Sequence, residues 1–128
     1  MILNACVERL PTAARLTPAR AVRQEEAVPI YQTAHYQVQA PAVDKVRSAI
    51  AEFVGYVAKN EPGSTMYTAW QQKDDPTKFV HLFEFADEAA HQAHGTSDAV
   101  RRFEAVYGPE LAGGPVVFTD YVLIATNR

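Results

Sequence analysis

Apolar and polar side chains alternate along the chain from Ile30 to Val38. One face of this segment would carry Ile30, Ala34, Tyr36 and Val38, and the other would carry Tyr31, Thr33, His35 and Gln37. A period of two residues is typical of a half-buried β-strand, because successive side chains of a strand point to opposite faces. The alternation predicts the first strand of a sheet, with an aliphatic stripe on one face.

After Pro41 the apolar period changes to that of a helix. Apolar residues recur three and four positions apart, at Val43, Val46, Ile50, Phe53, Val54 and Val57. This spacing places them on one stripe of a long amphipathic helix. Glu61-Pro62-Gly63 ends the helix, because a residue before proline disfavours helical geometry and glycine tolerates the turn.

Three more strands and a second helical region complete the pattern. Met66–Gln72 and Phe79–Phe85 flank the turn residues Asp74-Asp75-Pro76 and are predicted to pair as a hairpin. Asp87 and Ser97 each precede a short helical segment, and Gly95 separates the two segments, which predicts one kinked helical arm. Gly113-Gly114-Pro115 precedes a final strand, Val116 to Ala125.

The predicted order is β-α-β-β-α-β, the pattern of a ferredoxin-like α+β domain with a four-stranded antiparallel sheet. Both helices would cover the same face of the sheet. On the third strand, Val80 and Leu82 suit the helix-covered face, which would leave Phe79, His81, Phe83 and Phe85 on the open face. A large apolar face is rarely left in water. The sequence therefore predicts a homodimer pressed sheet to sheet, with an enclosed cavity on each open face.

Residues 1–29 differ from the rest of the chain. They contain three prolines and a mixed run of Arg, Ala and Glu without sustained periodicity. We interpret residues 1–29 as an N-terminal arm and residues 30–128 as the folded domain. The arm would pack either on its own domain or on a second copy of it.

Composition narrows the classes of function. The chain has 128 residues, enough for one domain, and a net charge of -3 with no basic patch, so neither nucleic acid nor a membrane surface is an expected partner. A single cysteine, Cys6, excludes an intrachain disulfide framework. With no apolar run long enough to span a membrane and no secretory leader pattern, we expect a soluble cytoplasmic protein that acts on a small molecule or pairs with another chain.

Three local signatures resemble the antibiotic biosynthesis monooxygenase family. They are Glu61-Pro62-Gly63 followed by Tyr67, Asp75-Pro76 before Phe79, and the run from Phe85 through Asp87, Glu88, Ala89 and Ala90 to His94 and Ser97. The resemblance covers about Ile30 to Ala125. It implies a dimeric α/β barrel that inserts oxygen from O2 into quinols, anthrones or similar electron-rich aromatics without a metal, flavin or other cofactor.

The chain departs from the family pattern on the third strand. The family commonly has a carboxylate two residues before the aromatic that ends this strand, where this chain has Phe83, with Glu84 one position later. A shift of one residue reverses the face of the side chain. Either a bulge turns Glu84 toward the cavity or the cavity lacks that carboxylate.

Histidines are the candidates for the base that such chemistry needs. His81 is the first candidate because it lies among phenylalanines, and a neutral interface histidine is the alternative. His35, on the face opposite the aliphatic stripe, could reach the same cavity or be exposed to solvent. His94 matches a helical histidine of the family and would close one end of the pocket or bond at the kink.

Aromatic and acidic residues are the candidates for substrate binding. Tyr67 and Trp70 lie on opposite faces of the second strand, so only one of them can line the cavity; Phe83 is a further candidate. Asp120 would matter if it lay beside a histidine and fixed its tautomer.

Other functions compete with oxygenation. His91 and His94 are three residues apart on a helix, but no third metal ligand is positioned by the sequence, and no nucleotide fingerprint is present. Relatives that degrade haem use a histidine on the second helical arm, near which this chain has Glu104. A non-catalytic dimeric binding module, or an isomerase or cyclase on the same fold, remains the alternative.

Overall fold

The computed structural model describes residues 28–128 as a four-stranded antiparallel sheet with helices on one face. The elements are β1 (Ile30–Val38), α1 (Val43–Asn60), β2 (Ser64–Gln71), β3 (Lys78–Phe85), α2 (Glu88–Gly95), α3 (Asp98–Tyr107) and β4 (Leu111–Tyr121). Short 3-10 turns, Ala40–Ala42 and Gly108–Glu110, precede α1 and β4. The sheet order is β2-β3-β1-β4, which confirms the predicted ferredoxin-like α+β fold. Residues 1–27, most of the predicted arm with Cys6, lie outside the described residues.

In the described range, no helix combines the length and apolar character that a membrane crossing requires.

The kinked helical arm forms where the capping residues predict it. The side chain of Asp87 accepts a hydrogen bond from the backbone N–H of Ala90, at 2.9 Å, and Ser97 caps Val100 in the same way, at 3.1 Å. Each cap satisfies an N–H group that the first turn of a helix leaves unpaired. The arm is therefore two helices, α2 and α3, rather than one bent helix.

Aromatic rings form most of the core between the sheet and the helices. Phe53 of α1 stacks on Phe103 of α3 with ring centroids 4.9 Å apart, and Tyr36 of β1 stacks on Tyr107 at 5.2 Å. Val46 of α1, fully buried, fills the space beside them. Rings of this size bury much apolar surface, so the helix-covered face of the sheet is where the fold is stabilised.

The predicted orientation of β3 is wrong. Phe79, His81, Phe83 and Phe85 are all buried under the helices, and Val80 and Leu82 lie on the open face. Strand register is the cause, because His81 lies opposite Ala34 and Phe79 opposite Tyr36, and directly opposed residues share a face. The aromatic side of β3 therefore faces the aromatic rings of the helices.

The bounds of β4 also differ from the prediction. The strand begins at Leu111, not Val116, and its pairing ends at Tyr121, not Ala125. Ala112 lies opposite Gln37 and Val117 opposite His35, so the residues between them bulge out of the ladder. Gly113 and Gly114 occupy this bulge with φ of 78° and 118°, which glycine adopts without strain. The pairing stops at Tyr121 because its partner Tyr31 is almost the first residue of β1.

Two glycines are expected to respond oppositely to alanine. A Cβ on Gly63 would lie 2.5 Å from the Cβ of Ala90, so Gly63→Ala must push α2 away from the start of β2 and should destabilise the fold by about 1 to 3 kcal/mol. A Cβ on Gly55 of α1 meets nothing within 4 Å, so Gly55→Ala should stabilise it by roughly 0.5 to 1 kcal/mol. Urea denaturation of both variants checks the two signs, and a stabilising Gly63→Ala would contradict the close packing of α2.

Candidate active site

A cavity of about 440 Å³ lies between the helix-covered face of the sheet and the arm formed by α2 and α3. Its walls include side chains from all four strands, and most of the lining is apolar. Phe53, Phe83, Phe103 and Phe118 contribute rings, and Glu104 and Gln32 contribute polar groups. The volume falls in the range of small-molecule sites, which are concave and largely apolar with a few polar groups.

His81 lies against this cavity between two tyrosine hydroxyls. Its Nε2 is 2.8 Å from the hydroxyl of Tyr36 on β1, and its Nδ1 is 2.9 Å from the hydroxyl of Tyr67 on β2. The three residues come from adjacent strands and share the helix-covered face, so the sheet register brings them together. His81 is 1% exposed and both of its ring nitrogens are bonded, which confirms only that it is buried and hydrogen-bonded.

Burial sets the charge of this three-residue network. It lowers the pKa of His81 to about 4, so the imidazole is neutral at neutral pH. Burial also raises the pKa of Tyr36 and of Tyr67 above the ordinary tyrosine value, and neighbouring tyrosines add to both shifts. Tyr107, which stacks on Tyr36, has its pKa raised to about 12, first by burial and then by Glu104. All three tyrosines therefore keep their hydroxyl protons.

His94 forms a second polar pair on the cavity wall. Its Nδ1 lies 2.7 Å from Oε1 of Glu61, and the hydroxyl of Ser64 donates to the same oxygen at 2.9 Å. A carboxylate at Nδ1 holds the proton there and leaves Nε2 as the basic nitrogen. No residue of the described range bonds Nε2, and His94 lines the cavity.

Glu61 was predicted to end α1 and to belong to a family signature, but not to contact a histidine. The residue is 33 positions from His94, and its side chain reaches α2 only because α1 ends beside the start of β2. Its second oxygen, Oε2, is buried and has no hydrogen-bond partner within residues 28–128. The only signals in the sequence were the end of a helix before Pro-Gly and the family signature that begins with Glu61, and neither indicates a bond to His94.

Four of the predicted site residues line this one cavity. They are His81, His94, Tyr67 and Phe83. Tyr67 contacts both histidine rings, at centroid distances of 5.6 Å, and stacks on Phe83 at 5.1 Å. The structure brings these residues together but does not by itself assign them a catalytic role.

Two predicted site residues lie on the opposite face of the sheet. His35 is exposed and pairs with Val80 and Val117, so the prediction that it shares a cavity with His81 is wrong. Trp70 is 58% exposed on the same open face, and of the two aromatics of β2 it is Tyr67 that reaches the cavity. Both results follow from alternation, once the register fixes which face the helices cover.

The predicted acidic candidates do not reach the histidines of the cavity. Asp120 accepts a hydrogen bond from Gln32 at 2.9 Å and does not fix a histidine tautomer. Glu84 stays on the open face and accepts a bond from Thr65 at 3.0 Å. A bulge does occur nearby, but the register shift lies between Ser64 and Met66 on β2 and does not turn Glu84 inward.

His91 and His94 have separate partners. His91 contacts Glu88 at 3.4 Å on its own helix, whereas His94 bonds Glu61. Within residues 28–128 the structure groups no three His, Cys, Asp or Glu side chains in a way that could hold a metal ion.

Comparison with known families decides the classification. The profile of the antibiotic biosynthesis monooxygenase family matches residues 29–106, more than half of the chain. The chain belongs to the antibiotic biosynthesis monooxygenase family. The match spans β1 to α3 and so includes Glu61, Tyr67, His81 and His94.

Solved structures of this fold are similar across most of the chain. A putative antibiotic biosynthesis monooxygenase from Caulobacter crescentus CB15 has a TM-score of 0.71 at 21% identity, covering 83% of this chain and 99% of its own. Rv0793 from Mycobacterium tuberculosis has a TM-score of 0.69 at 18% identity, covering 79% and 100%. At these identities the likeness shows the fold alone. No protein with a curated description matches the chain significantly.

Proposed function

We propose that this family member binds a planar, electron-rich aromatic in the cavity and oxidises it with O2, without metal, flavin or other cofactor. The observation that carries the proposal is His94, a histidine held by Glu61 at the wall of an aromatic-lined cavity. A quinol, an anthrone or a polyketide-like phenol is the substrate class that such a cavity suits. The family membership supports the monooxygenase class, and the geometry supports the choice of base.

The first step is removal of a proton from the substrate. Nε2 of His94 takes the proton, and Glu61 stabilises the resulting imidazolium through the Nδ1–H bond. Phe53 and Phe83 pack beside the buried His94 ring, and apolar surroundings strengthen the attraction between the imidazolium and the new anion. The protein thereby produces an aromatic anion in a largely apolar site.

The second step is reaction of that anion with O2. The anion donates one electron to O2, and the radical pair combines to a peroxide on a ring carbon, which for an anthrone is the carbon that lost its proton. For an anthrone, the imidazolium of His94 returns its proton to the peroxide, and the hydroperoxide then loses water as the second proton on that carbon leaves and the O–O bond breaks. The balance is anthrone plus O2 giving anthraquinone plus water, so no further reductant is required.

The same proposal includes a second copy of the chain on the open face of the sheet. Trp70, Val117 and Tyr121 are between 51% and 58% exposed there, beside the partly buried Val80 and Leu82. An apolar surface of this kind marks an interface more often than a solvated face. We propose, too, that residues 30–128 form the domain and residues 1–29 an arm outside it.

A charge on the open face should separate the two copies. Val117→Glu places a carboxylate on the open face at the edge strand β4, within the proposed interface, and we expect it to shift the mass from dimer to monomer in sedimentation equilibrium at micromolar concentration. Ala58→Glu, on the exposed side of α1, is the matched control and should sediment like the wild type. A dimer that survives Val117→Glu would contradict this interface.

Oxygen uptake tests the proposed reaction. The metal-stripped protein is incubated in air with a panel of anthrones and quinols, and consumption of O2 is followed with an electrode. We expect uptake above the uncatalysed rate for at least one compound, unchanged by a chelator. Absence of O2 consumption with every compound would contradict the proposed reaction and favour a binding module or an isomerase on the same fold.

A further inference from the structure

The hydrogen bonds of His81 leave one tyrosine O–H without a hydrogen-bond acceptor among the described residues. A neutral imidazole has one N–H donor and one acceptor nitrogen. With Tyr36 on Nε2 and Tyr67 on Nδ1, one tyrosine donates to the ring and the other accepts from it. The accepting tyrosine still carries its own O–H, which must point elsewhere. The count is the same for either tautomer.

That remaining O–H has no acceptor in the described part of the chain. Neither Tyr36 nor Tyr67 makes a second side-chain hydrogen bond there. Apart from His81, the neighbouring rings are Phe79 and Tyr107 for Tyr36, and Phe53, Phe83 and His94 for Tyr67; none of these side chains forms a hydrogen bond with either hydroxyl. A buried donor without an acceptor costs roughly 1 to 3 kcal/mol. Both hydroxyl-bearing residues line the cavity, which is the space into which the O–H can point.

We infer that the Tyr36–His81–Tyr67 network is a binding site for one oxygen atom of the ligand, a carbonyl or phenolic oxygen that accepts the single available tyrosine O–H. The inference rests on the proposed function and specifies its substrate class: an aromatic whose oxygen lies beside His81, midway along β3, while its acidic carbon or hydroxyl faces His94. His81 is then a positioning residue, because it touches the tyrosines and orients their protons.

Such a site also fits the chemistry. When the substrate loses its proton, negative charge collects on the same oxygen, and a donor already aimed at it stabilises that charge. The raised pKa values of both tyrosines keep the donor protonated. Neutral His81 leaves one donor and not two, so the site selects a ligand with one oxygen at this position.

An inert ketone tests the site apart from oxygenation. 9-Fluorenone is planar, has one carbonyl and no phenol to deprotonate, and fluorene is the same frame without the oxygen. We expect the wild type to bind fluorenone about 2- to 10-fold more tightly than fluorene, the gain of one neutral hydrogen bond. We also expect the infrared carbonyl band of bound fluorenone to move to lower frequency than in an apolar solvent.

Variants assign these effects to the network. In the double variant Tyr36→Phe with Tyr67→Phe, the affinity ratio should fall to about one and the band should return to its apolar-solvent position. Tyr56→Phe, on α1 away from this cavity, is the control and should behave as the wild type. If the double variant does not fold, one of the two single variants must lower the ratio.

The outcomes separate this inference from the proposed function. An unchanged ratio and band in the variants overturn the oxygen site, while oxygen uptake with the anthrone panel remains a separate result. Failure of both ligands to bind the wild type up to their solubility limits overturns the oxygen site, and oxygen uptake with the anthrone panel then decides the proposed function by itself.

Discussion

His94→Gln is expected to lower kcat for oxygen uptake by about 10²- to 10⁴-fold, the usual contribution of a general base. Glutamine keeps a polar group near Glu61, but its amide cannot take the substrate proton. The affinity for fluorenone should change little, because the proposed oxygen site lies at His81. Oxygen-electrode assays at saturating substrate measure the loss, with ligand affinity measured on the same preparation.

The control for this substitution is His35→Gln. His35 is a histidine on the open face of the sheet, outside the cavity, so its replacement should leave kcat near the wild-type value. The kcat of Glu61→Gln should lie between those of the two histidine variants. The amide of the new glutamine can donate to Nδ1, which would move the ring proton to Nε2 and reverse the tautomer of His94. If His94→Gln keeps the wild-type kcat while His35→Gln lowers it, the assignment of His94 as the base is contradicted.

The free energy of unfolding should fall by roughly 3 kcal/mol as the pH drops from about 6.5 to 4, on account of His81 alone. Its folded pKa is lowered to about 4, first and foremost by burial, whereas an unfolded histidine titrates near 6.5. Between these values the unfolded chain binds a proton that the folded chain does not. The stabilisation is therefore present above pH 6.5 and is lost as the pH falls through the folded pKa.

Urea denaturation at several pH values measures this slope. His81→Gln removes the titrating group, so its unfolding free energy should depend less on pH across the same window, although the variant is less stable at pH 7. His35→Gln should keep the wild-type slope. Equal slopes for the wild type and His81→Gln would mean that His81 is not buried as a neutral ring.

Local signals in the sequence were sufficient for most of the fold. The alternation in β1, the apolar stripe of α1 and the caps Asp87 and Ser97 each act over a few residues, and the structure has each element where those residues predict it. The bounds of β4 could not be read in this way. They depend on where β1 begins and on a bulge that passes through Gly113 and Gly114.

The orientation of β3 shows why the cavity could not be placed from sequence. Both faces of this strand are apolar, with phenylalanines on one and Val80 and Leu82 on the other, so alternation alone does not say which face the helices cover. Only pairing with β1 decides it. For the same reason His35 and Trp70 were predicted as site residues, although both lie on the open face of the sheet.

The chemistry of the site was recoverable in part. His94 and Tyr67 followed from the family resemblance, and His81 followed from its aromatic neighbours. The hydrogen-bond partners of the histidines could not be predicted, because Glu61 is 33 residues from His94 in the sequence and Tyr36 is 45 residues from His81. Partners of this kind are set by tertiary packing and leave no periodic trace in the chain.

Anaerobic mixing of the protein with an anthrone is the most direct test of the central claim, that the cavity deprotonates an aromatic and needs no cofactor. Stopped-flow absorbance follows the anthrone anion in the absence of O2. We predict that the anion accumulates with metal-stripped wild type, does not accumulate with His94→Gln, and decays to the quinone when O2 is admitted. Bound anthrone that stays neutral in the wild type until O2 or a metal is added would contradict the account.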